Sequence, residues 1–341
     1  MNISKTVLFS VLLLCSITTY AGSKTDVVIL ENGDRITGEI KNLEAGLLEL
    51  KTDTMGTVHI EWRFISELIS DKTLSVEDTK GNRWLGSLQK PEAGDHIVVN
   101  NAMGAIDLQP SEVVAVWPVA ATFLDKMDLD FSLGFDYSKA TDITNFNLAV
   151  DFMHRSDERI TEATLRSNIT LQTAGDDQNR QDLNFTQQYL RENQRFRTWI
   201  VGMESNEALG VDFRLYGGGA LGKYFTKTNN EVFFISGGLL ATEEKPTDGD
   251  AETNLEAIGS VRYRYFKYAT PERDFDTAFS VFPSLTDFGR VRATLRSTFK
   301  LEFFKDLFWG MEVYATYDNK PLTEGVEEID YGIISSVGWS F

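Results

Sequence analysis

The sequence IDYGIISSVGWSF, from Ile329 to Phe341, decides the fold class of this chain. Apolar or aromatic side chains alternate along it with small or polar ones, and this places the two kinds on opposite faces of a β-strand. Alternation that ends in aromatic residues is typical of the strands of transmembrane β-barrels. We therefore predict that Ile329–Phe341 closes an antiparallel β-barrel by pairing with the first barrel strand, Met127–Tyr137.

The same alternation recurs along the chain from Met127 onward. The clearest segment, Met127–Tyr137, is an eleven-residue alternating run and matches the roughly 9–11 residues that a tilted barrel strand needs to cross a bilayer. Counting these segments predicts twelve strands, an even number as in bacterial single-chain barrels. Ten strands is the alternative, because Leu183–Arg191 and Phe196–Met203 alternate less cleanly. The connections alternate between compact turns and longer loops, which is typical of outer-membrane barrels with short turns on the periplasmic side.

The first residues indicate export from the cytoplasm. Lys5 precedes the short apolar run Val7–Cys15, which is followed by small residues around Ala21. This arrangement predicts a signal peptide, residues 1–21, that is removed after Ala21. The chain's single cysteine lies in that segment, so the mature chain would hold no disulfide and no thiolate metal site.

A duplication precedes the predicted barrel. Gly33 recurs as Gly81 and Gly56 as Gly104, each 48 positions later. Each copy has the pattern of short strands joined by tight turns, and this predicts a pair of small β-barrels of the SH3 or Sm type. The predicted organisation is a first periplasmic repeat at 22–72, a second at 73–118, a linker at 119–126 and an outer-membrane barrel at 127–341.

Charged residues at inward positions of the predicted strands are the candidate functional residues of the lumen. Arg264 is expected to lie opposite Asp276 on neighbouring strands. The pattern has two interpretations, which are a narrow aqueous path with a selective field and a lumen filled by cross-strand ion pairs. The predicted lumen charges are Asp128, Asp130, Arg166, Arg264, Asp276, Arg292, Arg296 and Lys300.

No catalytic centre or cofactor site is predicted. The chain has three histidines: His59 and His96 lie in the predicted periplasmic repeats, and His154 lies beside a predicted periplasmic turn, far from the external loops, so none is placed to act as a general base there. Asp248, Asp250 and Glu252 form a candidate calcium site or a cation bridge to lipopolysaccharide, with a solvated acidic loop as the alternative. The formal net charge of −18 argues against a nucleic-acid partner, because phosphate binding needs a basic surface.

Three segments carry a resemblance to a known family: Asp212–Tyr224 (DFRLYGGGALGKY), Phe234–Leu240 with its Gly-Gly pair, and the aromatic end Trp339–Phe341. Across roughly Lys126–Phe341 the chain resembles the salt-induced outer-membrane proteins of Gram-negative bacteria, a family filed as domain of unknown function 481. The resemblance implies an outer-membrane barrel, and it implies no catalytic residues because the family has no established activity.

Together these features predict a non-enzymatic outer-membrane β-barrel with a periplasmic double β domain. Its expected role is structural in the envelope or that of a narrow channel for small solutes. The alternatives are a scaffold that presents the periplasmic domain to an envelope partner and, less favoured, a barrel-embedded hydrolase. Expected partners are outer-membrane lipid and lipopolysaccharide, a periplasmic protein or the cell wall, and the assembly machinery, which would read Tyr331, Trp339 and Phe341.

Overall fold

The computed structural model describes residues 25–92, 94, 96–119, 126–139, 142–156, 158–172, 178–206, 210–246, 249–304, 307–321 and 327–339. The predicted signal peptide and most of the predicted linker lie outside these residues. Within the described part of the chain, no helix is both long and apolar enough to span a membrane.

The N-terminal domain is a nine-stranded antiparallel sheet that repeats its elements at the predicted offset. Strand β5 belongs to both repeats, because its first half pairs with β1 and its second half pairs with β6 and β9. One-turn 3-10 helices at Trp62–Phe64 and Pro110–Glu112 precede the last strand of each repeat. The strands are β1 Asp26–Leu30, β2 Arg35–Glu44, β3 Leu47–Lys51, β4 Thr57–Glu61, β5 Ile65–Asp78, β6 Arg83–Gln89, β7 Ile97–Asn101, β8 Gly104–Leu108 and β9 Val113–Pro118.

The two repeats share one hydrophobic core. Val28 and its repeat equivalent Val76 are both fully buried in it, as expected for two copies of one pattern. The indole Nε1 of Trp62 donates to the carbonyl oxygen of Pro110 at 2.7 Å, which ties the first repeat to the second. The predicted small double β domain is therefore confirmed, with the addition that its units are fused through a strand and a core.

The C-terminal part is a twelve-stranded antiparallel sheet in which each strand pairs with its neighbours in sequence. Strands β13 and β14, which raised the ten-strand alternative, pair continuously from Arg180–Asn206 to Leu190–Phe196. Twelve strands are therefore confirmed. They are β10 Met127–Ser138, β11 Ile143–Arg155, β12 Arg159–Gln172, β13 Gln178–Leu190, β14 Arg195–Asn206, β15 Val211–Lys227, β16 Glu231–Pro246, β17 Glu252–Lys267, β18 Arg273–Pro283, β19 Val291–Phe304, β20 Leu307–Asp318 and β21 Ile329–Trp339.

The strand registers fix one inward and one outward face. On β15, Ala220 and Tyr224 point inward and are buried, whereas Leu221 points outward and is 71% exposed. The predicted alternation of faces is confirmed. The connection between β16 and β17 is shorter than the sequence pattern predicts. The pattern places a loop at Glu243–Thr253, but β16 continues to Pro246 and β17 begins at Glu252.

The expected pairing of Ile329–Phe341 with Met127–Tyr137 is not formed in this structure. Over the described ranges, β10 pairs only with β11 and β21 pairs only with β20, so these strands are the two edges of the sheet. Alternation identified both strands and their faces, but it contains no information on the register between the first and the last strand.

Glycines let β15 and β16 approach each other closely. A Cβ atom on Gly218 would collide with the carbonyl oxygen of Leu239, and one on Gly238 would collide with the carbonyl oxygen of Gly219. Both positions face inward, where a curving sheet crowds its side chains. The glycine-rich segments that carry the family resemblance are therefore the place where two neighbouring strands leave no room for an inward side chain.

Candidate functional site in the lumen and at its two ends

An open cavity of about 640 Å³ lies against the inward face of the sheet, and we call it the chamber. Its wall carries Glu162, Arg262 and Arg264 on β12 and β17 together with serine and threonine hydroxyls. Towards the compact turns, Phe196, Tyr224 and Phe234 pack with ring centroids 5.1–5.3 Å apart and fill one side of the lumen. The wall of the cavity is therefore mixed, with aliphatic side chains such as Ile200 and Ile258 beside the charged and hydroxyl groups, and it is aromatic near the compact turns.

The N-terminal domain docks on the compact-turn end of the barrel through buried charges. Arg155, the last residue of β11, donates from Nη1 to Glu44 at 2.5 Å and lies 3.6 Å from Glu77. Lys227, the last residue of β15, donates from Nζ to Glu77 at 2.5 Å. The guanidinium of Arg155 also lies 4.8 Å from the ring centroid of Trp117. We call Glu44, Glu77, Arg155 and Lys227 the latch.

Backbone contacts support the latch from two barrel turns. Asn229, in the β15–β16 turn, donates from Nδ2 to the carbonyl oxygen of Val113 at 2.7 Å. Gln194, in the β13–β14 turn, donates from Nε2 to the carbonyl oxygen of Thr79. Gly46 meets Asn229 so closely that a Cβ atom would not fit there. With Arg155 beside the β11–β12 turn, three successive compact turns of the barrel therefore hold the domain.

Glu77 is ionised in the latch. Burial opposes its ionisation, but the nearby charges of Lys227 and Arg155 outweigh burial and hold the pKa of Glu77 below its ordinary value of 4.5. The carboxylate is consequently charged at neutral pH, and it balances two cations that are themselves almost inaccessible to solvent.

A second buried charge network lies at the long-loop end. Glu244 accepts from Arg214 at 2.6 Å and from Arg290 at 2.7 Å, and it is fully buried. Arg290 also donates to Asp318 at 2.7 Å. These contacts join β15 and β16 to β20 across the interior. Buried ion pairs therefore lie at both ends of the lumen, and those at the long-loop end cross it.

The predicted lumen charges mostly lie in cross-strand ion pairs. Arg264 does lie opposite Asp276, as predicted. Its ion pair, however, is with Asp274 at 3.4 Å, and Asp276 instead accepts from Arg262 at 2.8 Å. The remaining pairs are Arg166–Asp151 at 2.6 Å, Arg292–Glu256 at 2.5 Å, Arg296–Glu312 at 2.7 Å and Lys300–Glu272 at 3.1 Å.

Other predicted residues are not brought together. Asp128 lies near the junction with the N-terminal domain, in a cleft with Lys41 and Lys51, and Asp130 is exposed on the edge strand β10. Asp250 and Glu252 are exposed, and Asp248 lies outside the described residues, as does Phe341. Among the residues that the structure describes, no group of three or more His, Cys, Asp or Glu is placed to hold a metal ion.

The latch was missed at the sequence level because its contacts join residues 111 and 150 positions apart. One signal could have found it. Glu77 stands 48 positions after Ile29, so the second repeat has an acid where the first has an apolar side chain. Glu244 was missed because its segment was assigned to a loop rather than to the end of β16.

The fold and the charged lumen define a β-barrel protein with an N-terminal β domain docked at one end. Residues 125–341 match the family described as "Protein of unknown function, DUF481", and the chain belongs to this family. Among solved structures, the chain is similar to the NanC porin in a rhombohedral crystal form, with 10% identity, a TM-score of 0.38, and coverage of 62% of this chain and 100% of the porin chain. No match was found among curated proteins.

Proposed function

We propose that the protein is a non-enzymatic outer-membrane β-barrel of the bacterial envelope whose lumen is held closed by its own N-terminal domain. The observation that carries this proposal is a row of aromatic side chains on the outer wall near the compact turns. Aromatic belts of this kind mark the membrane–water interface in barrel proteins. We call the row the aromatic girdle.

The aromatic girdle crosses six neighbouring strands, from β15 to β20. Adjacent ring centroids lie 5.6–6.5 Å apart along it. Above the girdle the outer wall is apolar, with Trp199, Leu221 and Val201 more than half exposed. The girdle consists of Phe225, Phe233, Tyr263, Phe275, Phe299 and Trp309.

The girdle lies at the end of the barrel that has compact turns, and this end faces the periplasm in outer-membrane barrels. The docked N-terminal domain would then lie in the periplasm, beneath the lumen. The latch beneath and the Glu244 network above support a closed state. Small solutes would pass only after the N-terminal domain leaves the barrel.

Membrane insertion also requires the two sheet edges to be satisfied. Unpaired backbone groups of β10 and β21 cannot remain in hydrocarbon, where each one costs several kcal/mol. We therefore propose that these edges pair with each other in the membrane. Cysteines placed at Leu133 and, in separate variants, at Ile333, Ser335 or Val337 should form a disulfide in one register. Failure in all registers would contradict closure between these strands.

The decisive experiment compares the purified full-length protein in two assays. An inserted barrel should run differently on a gel before and after boiling in SDS, and equal mobility would refute the barrel in a membrane. In planar bilayers the wild type should be electrically silent. The Glu77→Gln variant, in which the latch has lost its central carboxylate, should give discrete conductance steps. Silence of that variant, in a sample that shows the gel shift, would favour a purely structural role.

A scaffold role is a second candidate. Met55 and Met103 occupy equivalent turns of the two repeats and are 60% and 89% exposed. Such paired apolar tips suit a periplasmic protein partner. A Met55→Ser, Met103→Ser variant should lose a partner that co-purifies with the wild type while keeping the gel shift. Unchanged recovery of the partner would contradict this candidate.

A further inference from the structure

The aromatic girdle stops at β15, and cations replace it on the neighbouring strands. At the same end of the barrel, the outer wall of β12–β15 carries Arg159, Arg195, Arg197 and Lys223, all exposed. Tyr189 is the aromatic residue among them, and the guanidinium of Arg159 lies 5.9 Å from its ring centroid. The interface level is thus aromatic on one part of the barrel and basic on another.

The strand register brings these cations together. Arg195 lies directly opposite Lys223, and Arg159 and Arg197 are both partners of Tyr189 on adjacent strands. Like charges directly opposite each other destabilise a sheet. Across the described ranges, none of the four cations forms an ion pair with a carboxylate, although the chain as a whole carries a net charge of −18. Their repulsion calls for an external anion.

The side chain of Lys223 indicates the depth in the membrane at which that anion would lie. Its Nζ lies 5.6 Å from the ring centroid of Phe225, which belongs to the aromatic girdle and is nearer the turn. A lysine that bends towards the interface keeps its charge among headgroups while its stem covers apolar wall. The cations therefore lie where lipid phosphates would be found.

An apolar track leads from the cations towards the middle of the barrel. Leu221 and Trp199 come next on the outer wall, followed by a groove of about 310 Å³ that Val201 and Gly217 line. Gly217 is about 20 Å along β15 from Lys223, or about 14 Å in depth at a strand tilt of roughly 45°. That depth is about half of a hydrocarbon core of roughly 30 Å, which is the reach of one acyl chain.

We propose that the outer wall of β12–β15 binds an anionic phospholipid of the periplasmic leaflet. Arg195 and Lys223 hold its phosphate, Arg159 and Arg197 add charge beside it, and an acyl chain lies along Trp199 into the groove at Gly217. This inference rests on the proposed membrane location. To that location the inference adds the class of lipid that the barrel binds and the residues that select this lipid.

The test measures lipid binding to the full-length protein by native mass spectrometry, with phosphatidylglycerol and phosphatidylethanolamine as probes. The wild type should retain phosphatidylglycerol in preference. In an Arg195→Gln, Lys223→Gln variant, binding of phosphatidylglycerol should weaken about twenty-five-fold, because each cation near an anionic surface contributes about fivefold. The control variant is Lys139→Gln, Lys245→Gln, which removes two exposed cations at the long-loop end and should bind as the wild type does.

Each outcome bears on one proposal. Equal retention of the two lipids by the wild type, or equal weakening in the control variant, would overturn the lipid site. If the first variant loses the boiling-dependent gel shift, Arg159→Gln, Arg197→Gln supplies the same test with the two cations on β12 and β14 that lie opposite Tyr189. A wild-type protein that lacks the gel shift would refute the membrane barrel itself, and this result is distinct from a folded barrel without lipid preference.

Discussion

Replacing Glu77 by glutamine should release the N-terminal domain from the barrel. The change keeps the size of the side chain but removes the negative charge that Lys227 and Arg155 face across the interface. Arg155 would keep Glu44, whereas Lys227 would remain almost buried with only an amide oxygen as acceptor.

The expected loss follows from that burial. Breaking a buried ion pair costs about 3–5 kcal/mol, and the remaining hydrogen bond to the amide favours the lower end of this range. A loss of about 3 kcal/mol lowers the docking equilibrium constant by roughly a hundredfold. The barrel itself should keep its boiling-dependent gel shift, since Glu77 belongs to the N-terminal domain and to no strand pair of the barrel.

Energy transfer between two dyes measures docking directly. The mature chain is expected to be free of cysteine, so Met103→Cys and Lys139→Cys can be labelled at the two far ends of the molecule. Glu77→Gln should lower the transfer efficiency and add a second, low-efficiency population. The control, Glu39→Gln, removes a carboxylate that pairs with Lys41 within the N-terminal domain and should leave transfer unchanged. If the two variants behave alike, the latch does not hold the domain.

The latch also makes docking depend on pH. Because the docked pKa of Glu77 lies below its ordinary value of 4.5, its contribution to docking is complete above about pH 4.5. The contribution is lost as the pH falls through the lower, docked pKa. Wild-type transfer efficiency should therefore decrease only in this acidic range, and the Glu77→Gln variant should lack this step. If the transfer efficiency of the Glu77→Gln variant decreases at the same pH, the titrating group is not Glu77.

Three further predictions concern the barrel. Gly238→Ala should abolish the boiling-dependent gel shift, because its Cβ would meet the backbone of β15, whereas Gly237→Ala, which faces outward, should keep the shift. Arg290→Met should lower the unfolding free energy by about 3 kcal/mol in a urea titration, the lower end for a broken buried pair, because Glu244 loses one of its cations but keeps Arg214, and Arg296→Met, on an exposed pair, should change it by at most about 1 kcal/mol. Trp339→Ala should reduce the amount of assembled barrel in cells, measured as the heat-shifted band, if the assembly machinery reads this residue; an unchanged band would contradict that role.

The sequence was sufficient for the strands and their faces but not for the partners of the charged groups. Period-2 alternation placed Arg292, Arg296 and Lys300 on the inner face because side-chain direction in a strand depends only on position. It could not predict that Arg264 would pair with Asp274 rather than with the opposed Asp276, because long side chains also reach diagonal neighbours. The 48-residue repeat likewise predicted the double domain and its turns.

The latch and the Glu244 network depend on long-range geometry. Lys227 meets Glu77 only because the β15–β16 turn and the N-terminal domain come to the same end of the barrel. Apart from the acid at Glu77, where the first repeat has Ile29, nothing local to either residue marks that contact. The pairing that closes the barrel could not be predicted from the sequence for the same reason. The register between β10 and β21 is set by the curvature of the whole sheet and not by either strand alone.

Strand β5 has a mechanical consequence. It continues from the first repeat into the second, and the repeats share one core, so we expect the double domain to act as a single lever with Glu77 on β5 and with Met55 and Met103 in its turns. A protein that grips those methionines only when the domain is undocked would draw the lever away from the barrel. By thermodynamic reciprocity, opening the latch would strengthen that protein's binding by the same factor.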